Sequence, residues 1–451
     1  MMLARILPQL VAKEVRALLP LWLGILAALE IVPALGRWLS AGPDSIQALE
    51  LFVFGAASLL LGALSIGHEY SNRTLTLLLS QPVSRARVFG AKQLVLGTML
   101  LILALVVWIT VSEPSSGVAM VVVRVALGGL FVTPWLTMLS RNPLAGAVFT
   151  GPIAGAIWLV VGVFVARSMR LVAFEWATLG VCAVAAVLGW GTFMRLEAIE
   201  GPGASLRWPA AGAAPVPAAR TRHPIWLLVK KELGLQQLPL ALASLYFVGW
   251  LMSLFWIPPG EFGDDVFGAV TFLYGGQLAL LVGALASAAE RQLGTLEWQG
   301  LLPMASSKQW AVKVAMVLAL SMLLSVALPA LLLFMWGGGF RINQWYAIAI
   351  LFLTTAGLYV SSLNSSGVRA LLISLPVSLV VLLAATTVSM GFRWTLTPVP
   401  LVLLAAFVAV ALYFALLNHR SSERSVARVG LQVLVMAGCL LFAAALATLV
   451  Q

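Results

Sequence analysis

Apolar runs of about twenty residues follow one another along almost the whole chain, and they constrain its fold more than any other feature. In the first half they are 17–36, 49–67, 88–111, 118–139, 143–166 and 171–194. In the second half they are 238–257, 266–288, 308–336, 343–363, 367–391 and 396–418, and one more lies at 430–450. A single aqueous core cannot bury a chain that is 61% apolar and 10% charged. The sequence therefore predicts an all-α polytopic membrane protein with about 12–13 transmembrane helices.

A break in the apolar pattern at 197–222 is rich in glycine and proline and has the composition of a linker. It predicts a first half at 1–196, a cytoplasmic linker at 197–222, a second half at 223–420 and an extra C-terminal transmembrane helix at 421–451. Each half has six apolar runs.

Both halves begin with the same kind of segment. Residues 3–16 and 225–237 are amphipathic, which predicts interfacial helices that precede a turn into the bilayer. The dipeptide Lys13-Glu14 recurs as Lys231-Glu232, and 139–143 corresponds in place and length to 363–367. These correspondences predict two parallel repeats of six helices.

Basic residues indicate the orientation. With the N-terminus in the cytoplasm, cytoplasmic segments hold 21 of the 27 lysines and arginines, as the positive-inside rule requires. We expect a multi-pass protein of the inner or plasma membrane. Topology and anionic membrane lipid account for the net charge of +11, so no nucleic-acid partner is expected.

One polar segment occurs twice, 221 residues apart and without a gap, between the second and third runs of each half. We call 69–92 and 290–313 the first and second doubled segments. The matching residues are Glu69, Thr74, Leu75, Pro82 and Lys92, and Glu290, Thr295, Leu296, Pro303 and Lys313. Residues 74–79 and 295–298 predict a helical turn or two with an apolar side, which a proline then ends. Glu69 and Glu290 are expected near the start of that helix, where a carboxylate favours the positive helix end.

These residues resemble the coupling segment of type 2 ABC exporter permeases. The second segment carries Glu290, Gly294-Thr295-Leu296, Leu301-Leu302-Pro303 and Ser306-Ser307-Lys308, and the first carries Glu69, Thr74-Leu75, 77–79 and 82–85. The first departs from the family pattern in having Arg73 where the second has Gly294. The resemblance covers almost the whole chain.

The resemblance implies a short cytoplasmic helix that docks into a groove of an ATP-hydrolysing subunit. The implied coupling residues are Glu69, Thr74, Leu75, Pro82, Glu290, Gly294, Thr295, Leu296 and Pro303. Two coupling segments imply two copies of the ATPase subunit, with ATP and Mg bound on that partner and no cofactor on this chain.

The sequence contains no phosphate-binding loop, so the chain is not expected to bind ATP in that way. His68, His223 and His419 lack the spacing of a metal site, and no catalytic arrangement of serine, histidine and acid occurs. We therefore expect a transport subunit that is not itself an enzyme.

Three charged residues, Glu30, Arg124 and Glu175, lie within runs one, four and six, about 6–10 Å from the outer end. They either line the outer part of a substrate path or extend to the headgroup layer. The apolar interior favours a hydrophobic or amphipathic compound or a lipid as substrate. A secondary active transporter without an ATPase is the alternative, followed by a membrane-embedded enzyme or scaffold.

Overall fold

The computed structural model describes residues 2–38, 43–72, 74–80, 83–110, 116–165, 167–196, 224–254, 261–292, 294, 304–337, 342–377, 398–421 and 425–449. Within these ranges the regular structure is helical throughout, and no strand occurs. Two compact units are present, Met1–Trp208 and Pro209–Gln451, and the boundary between them falls inside the predicted linker 197–222.

The helices of the first unit are α1 (Met2–Trp38), α2 (Pro43–Ser71), α3 (Leu75–Leu79), α4 (Arg85–Thr110), α5 (Ser116–Leu127), α6 (Thr133–Ser140), α7 (Pro143–Phe164) and α8 (Arg170–Met194). Those of the second unit are α9 (Pro224–Leu235), α10 (Gln237–Leu254), α11 (Glu261–Gln292), α12 (Ser306–Met322), α13 (Leu328–Trp336), α14 (Gln344–Leu363), α15 (Gly367–Val377), α16 (Pro398–Arg420) and α17 (Val426–Leu449).

Eight helices of the described chain are long and apolar enough to cross a membrane, and a ninth is obtained if α9 and α10 form one span. The eight coincide with the predicted runs from 49–67 to 343–363 except 238–257, which belongs to α10. They confirm an all-α polytopic membrane protein. The run 17–36 lies inside α1, the run 367–391 is described only as far as Val377, and α16 and α17 carry the last two runs.

The expected break after residue 16 is absent, because α1 is one continuous helix of 37 residues. Alanine, leucine and charged residues around this position favour helix, and α1 continues through Pro8, Pro20 and Pro33. In the second unit the break is present: α9 and α10 meet at Gln236 with a bend of 63°. Gly234 weakens the helix there, and Pro239 falls in the first turn of α10, where its missing N–H costs no hydrogen bond.

Each unit has a close helix crossing at a glycine of its second predicted run. A Cβ on Gly62 of α2 would lie 2.1 Å from the carbonyl oxygen of Gly129, and one on Gly283 of α11 would lie 2.5 Å from that of Thr354. Gly62 and Gly283 are 221 residues apart. At both positions a side chain would separate the two backbones.

Two transmembrane helices contain a π-helical turn just before a proline. Gly128–Val132 joins α5 to α6 ahead of Pro134, and Leu323–Ala327 joins α12 to α13 ahead of Pro329. Because proline lacks an N–H and its ring crowds the carbonyl four residues earlier, the helix widens at this point.

The last helix, α17, is attached to the second unit by an amide pair. The side-chain nitrogens of Gln432 and Asn418 each donate to the other residue's side-chain oxygen at 3.0 Å, and the Tyr359 hydroxyl donates to Gln432 at 3.1 Å. All three groups are buried. This helix is therefore a packed part of the unit.

Candidate functional site

The first doubled segment connects α2 to α4 and contains the short helix α3 where the sequence predicts one. Leu78 is buried in a cluster with Leu10 and Phe89, whereas Leu77 is 65% exposed. The buried leucine attaches α3 to the unit and the exposed one leaves an apolar side chain on its outer surface.

Parts of the second doubled segment can be compared with it. The helix α11 ends at Gln292, and Gly294 has φ +70, a left-handed conformation that favours glycine after a helix. The glycine at this position of the second doubled segment thus has a local backbone cause. Outside the described residues lie Arg73, Pro82, Thr295, Leu296 and Pro303.

The first doubled segment is flanked by two lysines and two glutamates, of which all but Lys13 are buried, and which we call the first charge cluster: Lys13, Glu14, Glu69 and Lys92. The Lys92 ammonium donates to both Glu14 oxygens at 2.8 Å and lies 3.4 Å from Glu69 Oε1. Lys13 donates to the same Glu69 oxygen at 2.9 Å, and Lys92 also donates to the Ser65 carbonyl at 3.0 Å. The side chains of Glu14, Glu69 and Lys92 are at most 3% exposed.

The second charge cluster, Lys231, Glu232, Glu290 and Lys313, has the same pairing. Lys313 donates to the two Glu232 oxygens at 3.0 and 3.2 Å, lies 2.7 Å from Glu290 Oε2, and donates to the Ala286 carbonyl at 2.8 Å. Lys231 pairs with Glu290.

The two clusters are equivalent residue by residue. The Lys-Glu dipeptides are 218 residues apart, and the other members, including the carbonyls of Ser65 and Ala286, are 221 apart. Each cluster has two positive and two negative groups and is electrically balanced, as burial of ions requires. Sequence reasoning identified the dipeptides and the doubled glutamates and lysines separately but did not bring them together.

Glu69 lies close to the start of the short helix, as expected, but its carboxylate does not cap α3. Glu69 lies near the end of α2, and its carboxylate binds Lys13 and accepts a hydrogen bond from the Thr74 hydroxyl. Thr74 occupies the position before α3, but its side chain makes no capping bond to that helix. The Glu69 carboxylate therefore connects the end of α2 to α1 instead of capping α3.

One group with metal-ligand chemistry occurs in the described chain. Ligand atoms of Glu14, His68 and Glu69 lie within 4.8 Å of one another. However, the Lys92 ammonium already binds both oxygens of Glu14. The position equivalent to His68 is Ala289, so the second cluster has no imidazole at that position. The arrangement is an ion-pair cluster whose positive charge comes from lysine.

One arginine within each doubled segment binds the end of a later helix. Arg85 donates to the carbonyl of Met194 at the end of α8 at 2.6 Å, and Arg291 donates to that of Asn418 near the end of α16 at 3.2 Å. A cation at a helix C-terminus is favourable because the last carbonyls are unpaired and carry partial negative charge.

The three outer charges are not brought together as ion pairs in the described chain. Glu30 is exposed on α1 and Glu175 is half-buried on α8. The guanidinium of Arg124 donates to the Met120 carbonyl and lies 5.2 Å from the centre of the Phe174 ring. Sequence reasoning missed Glu50, a buried carboxylate in the first turn of the predicted run 49–67.

The chain matches no known protein-family model and no curated protein.

Proposed function

We propose that this chain is the permease of an ATP-driven exporter resembling type 2 ABC transporters, with two permease halves fused in one polypeptide. ATP is hydrolysed on two copies of a separate ATPase subunit, which bind the two doubled segments. Each half is a parallel six-helix repeat, and α17 is an additional helix. The chain lies in the cell membrane with its N-terminus in the cytoplasm.

The recurrence of the charge cluster beside each doubled segment is the observation that carries this proposal. In both units a buried glutamate at the end of a long helix binds two lysines from two other helices. An ordinary loop needs no such attachment, because surface loops tolerate motion. A segment that transmits force from a partner does need it.

The short helix α3 supplies a docking surface of the right kind. Leu77 projects an apolar side chain outward while Leu78 anchors the helix to the unit. A short helix that presents an apolar side suits a groove on a partner protein. Its counterpart at 295–298 lies outside the described residues.

The alternative, a secondary active transporter, is less well supported. Such transporters have helices interrupted at corresponding places in their repeats, where substrate and ions bind. Here the π-helical turn 128–132 interrupts the fourth predicted run of the first half, 118–139. The turn 323–327 interrupts the third predicted run of the second half, 308–336. The two interruptions do not correspond.

The transported compound is hydrophobic or amphipathic, or a lipid.

The test is affinity purification of the full chain from its native membrane, with identification and counting of the proteins that accompany it. We expect an ATPase subunit at two copies per chain. The variant Leu77→Glu/Trp298→Glu, which changes two positions 221 residues apart, should lose that subunit and stay in the membrane. Asn72→Glu is the control for the first of the two changes, because it adds the same single charge as Leu77→Glu at an exposed residue next to α3.

If the chain purifies without any ATPase from a membrane that is still active in transport, this result would contradict the exporter proposal and favour a secondary carrier. Retention of two ATPase copies by the double variant would contradict the assignment of the doubled segments.

A further inference from the structure

Each charge cluster joins three helices that are distant in sequence. In the first unit Glu14 lies on α1, Glu69 near the end of α2, and Lys92 on α4. The residues between Glu69 and Lys92 include α3, so both ends of the first doubled segment are bound to the N-terminal helix. In the second unit α9, α11 and α12 are joined in the same way.

Burial makes these connections hard to break. The side-chain exposures of Lys92, Glu14 and Glu69 are 1%, 3% and 0%. Separating the helices would leave each of these charges without a partner in a medium of low dielectric constant, which is strongly unfavourable. Lys13, with a side chain that is 44% exposed, forms the outer part of the cluster and contributes less.

The surroundings of the two clusters have diverged while the clusters have not. His68 and Tyr70 flank the first glutamate, and Ala289 and Arg291 flank the second. The lysine in each unit nevertheless binds the equivalent carboxylates and the equivalent backbone carbonyl. The shared feature of both units is therefore the connection among the three helices.

We propose that Lys13, Glu14 and Lys92, and their counterparts Lys231, Glu232 and Lys313, are positioning residues for the doubled segments. They hold the N-terminal helix of each unit against both ends of its doubled segment, so that helix and segment move as one body when a partner displaces the segment. This inference rests on the proposed function, and it extends the coupling element to α1 and α9.

The first experiment measures amide hydrogen exchange in the purified full chain and needs no ATPase. In Lys92→Met we expect exchange about tenfold faster both at 8–16 on α1 and at 74–80. Arg87→Met is the control, because Arg87 is exposed on the same helix α4. Faster exchange confined to α4, or no change at 8–16, would overturn the inference.

The double variant Glu14→Gln/Lys92→Met covers the case in which Lys92→Met does not fold. It removes the carboxylate that would otherwise remain buried without its lysine, so folding should recover. Exchange at 8–16 should stay faster than in the unaltered chain, because an amide and a thioether do not replace the ion pair. Exchange restored to the original rate would contradict the proposed connection.

The second experiment uses the complex with its ATPase in lipid vesicles and measures transport per ATP hydrolysed. We expect the double variant to bind the ATPase and hydrolyse ATP but to transport several-fold less per ATP. Unchanged transport per ATP together with faster exchange would overturn the positioning role and leave the proposed function intact. Failure of the unaltered chain to bind any ATPase would overturn the proposed function, whereas the exchange experiment would still test the connection.

Discussion

At the scale of single residues, the two lysines of each charge cluster have the same charge but differ in how far their side chains are exposed. The Lys92 and Lys313 side chains are 1% and 2% exposed, whereas those of Lys13 and Lys231 are 44% and 27% exposed. An exposed ion pair contributes little to stability, because water and salt screen it. The buried lysines therefore dominate the stability of the clusters.

We predict that Lys313→Met lowers the free energy of unfolding by about 3 to 5 kcal/mol, because Glu232 would remain buried without its cation. Adding Glu232→Met should recover at least about half of that loss, since the unpaired charge is then removed. The measurement is thermal unfolding in detergent. Lys308→Met is the control, because Lys308 is exposed on the same helix α12. A double variant less stable than the single one would contradict the ion-pair assignment.

Arg73 and Gly294 show what one residue's identity can and cannot indicate. Gly294 has φ +70, a left-handed conformation that glycine adopts at little cost. The arginine at the equivalent position gives no such indication, and Arg73 lies outside the described residues. A local backbone requirement can be predicted where glycine is present, since few other residues accept that conformation.

At the scale of elements, close helix crossings depend on Gly62 in α2 and Gly283 in α11. We predict that Gly62→Ala or Gly283→Ala destabilises its unit by about 1 to 3 kcal/mol, because the methyl group would overlap a backbone carbonyl. Gly55→Ala and Gly276→Ala are controls on the same two helices, where the nearest atoms would be 4.0 and 3.8 Å away. Thermal unfolding of the four variants tests this, and equal behaviour within each pair would contradict the close crossing.

The hydroxyl of Tyr346 lies between the π-helical turn at Leu323–Ala327 and the Thr271 carbonyl of α11. Pro329 cannot donate to the Ser325 carbonyl four residues earlier, and the Tyr346 hydroxyl lies 3.0 Å from that oxygen. A second hydroxyl, that of Tyr274, donates to the Leu324 carbonyl at 3.0 Å. In a membrane, where water is absent, such substitutes for the missing backbone bond are needed.

We predict that Tyr346→Phe destabilises the protein by about 1 to 3 kcal/mol, the cost of an unpaired buried acceptor. Pro329→Ala restores a backbone donor, so the double variant Tyr346→Phe/Pro329→Ala should lose less stability than the sum of the two single changes. Thermal unfolding of the three variants completes the cycle. Strict additivity would show that the tyrosine does not act through this carbonyl.

The elements themselves could be predicted to different degrees. The eight spanning helices followed from apolar length, which is a local property. The end of the interfacial segment did not, because an amphipathic pattern alone contains no stop signal, and α1 continues even through Pro20.

At the scale of the whole molecule, each unit contains its own hydrophobic clusters and its own charge cluster. We predict that a protease site inserted within 209–217 can be cut without loss of fold, because linkers tolerate interruption. The midpoint of thermal unfolding should change by less than about 2 °C after the cut. The same insertion at Asn142 is the control, since its side chain caps α7, and it should be destabilising. Precipitation after cleavage in the linker would contradict two separately folded units.

The sequence by itself determined that this is a multi-pass helical protein and that one polar segment occurs twice, because apolar length and residue identity are visible along the chain. Only the tertiary structure decided what the doubled glutamates bind. Lys13 and Lys92 are 56 and 23 residues from Glu69 along the chain. Packing of three helices brings these charges into contact, and no local pattern specifies which buried lysine meets which carboxylate.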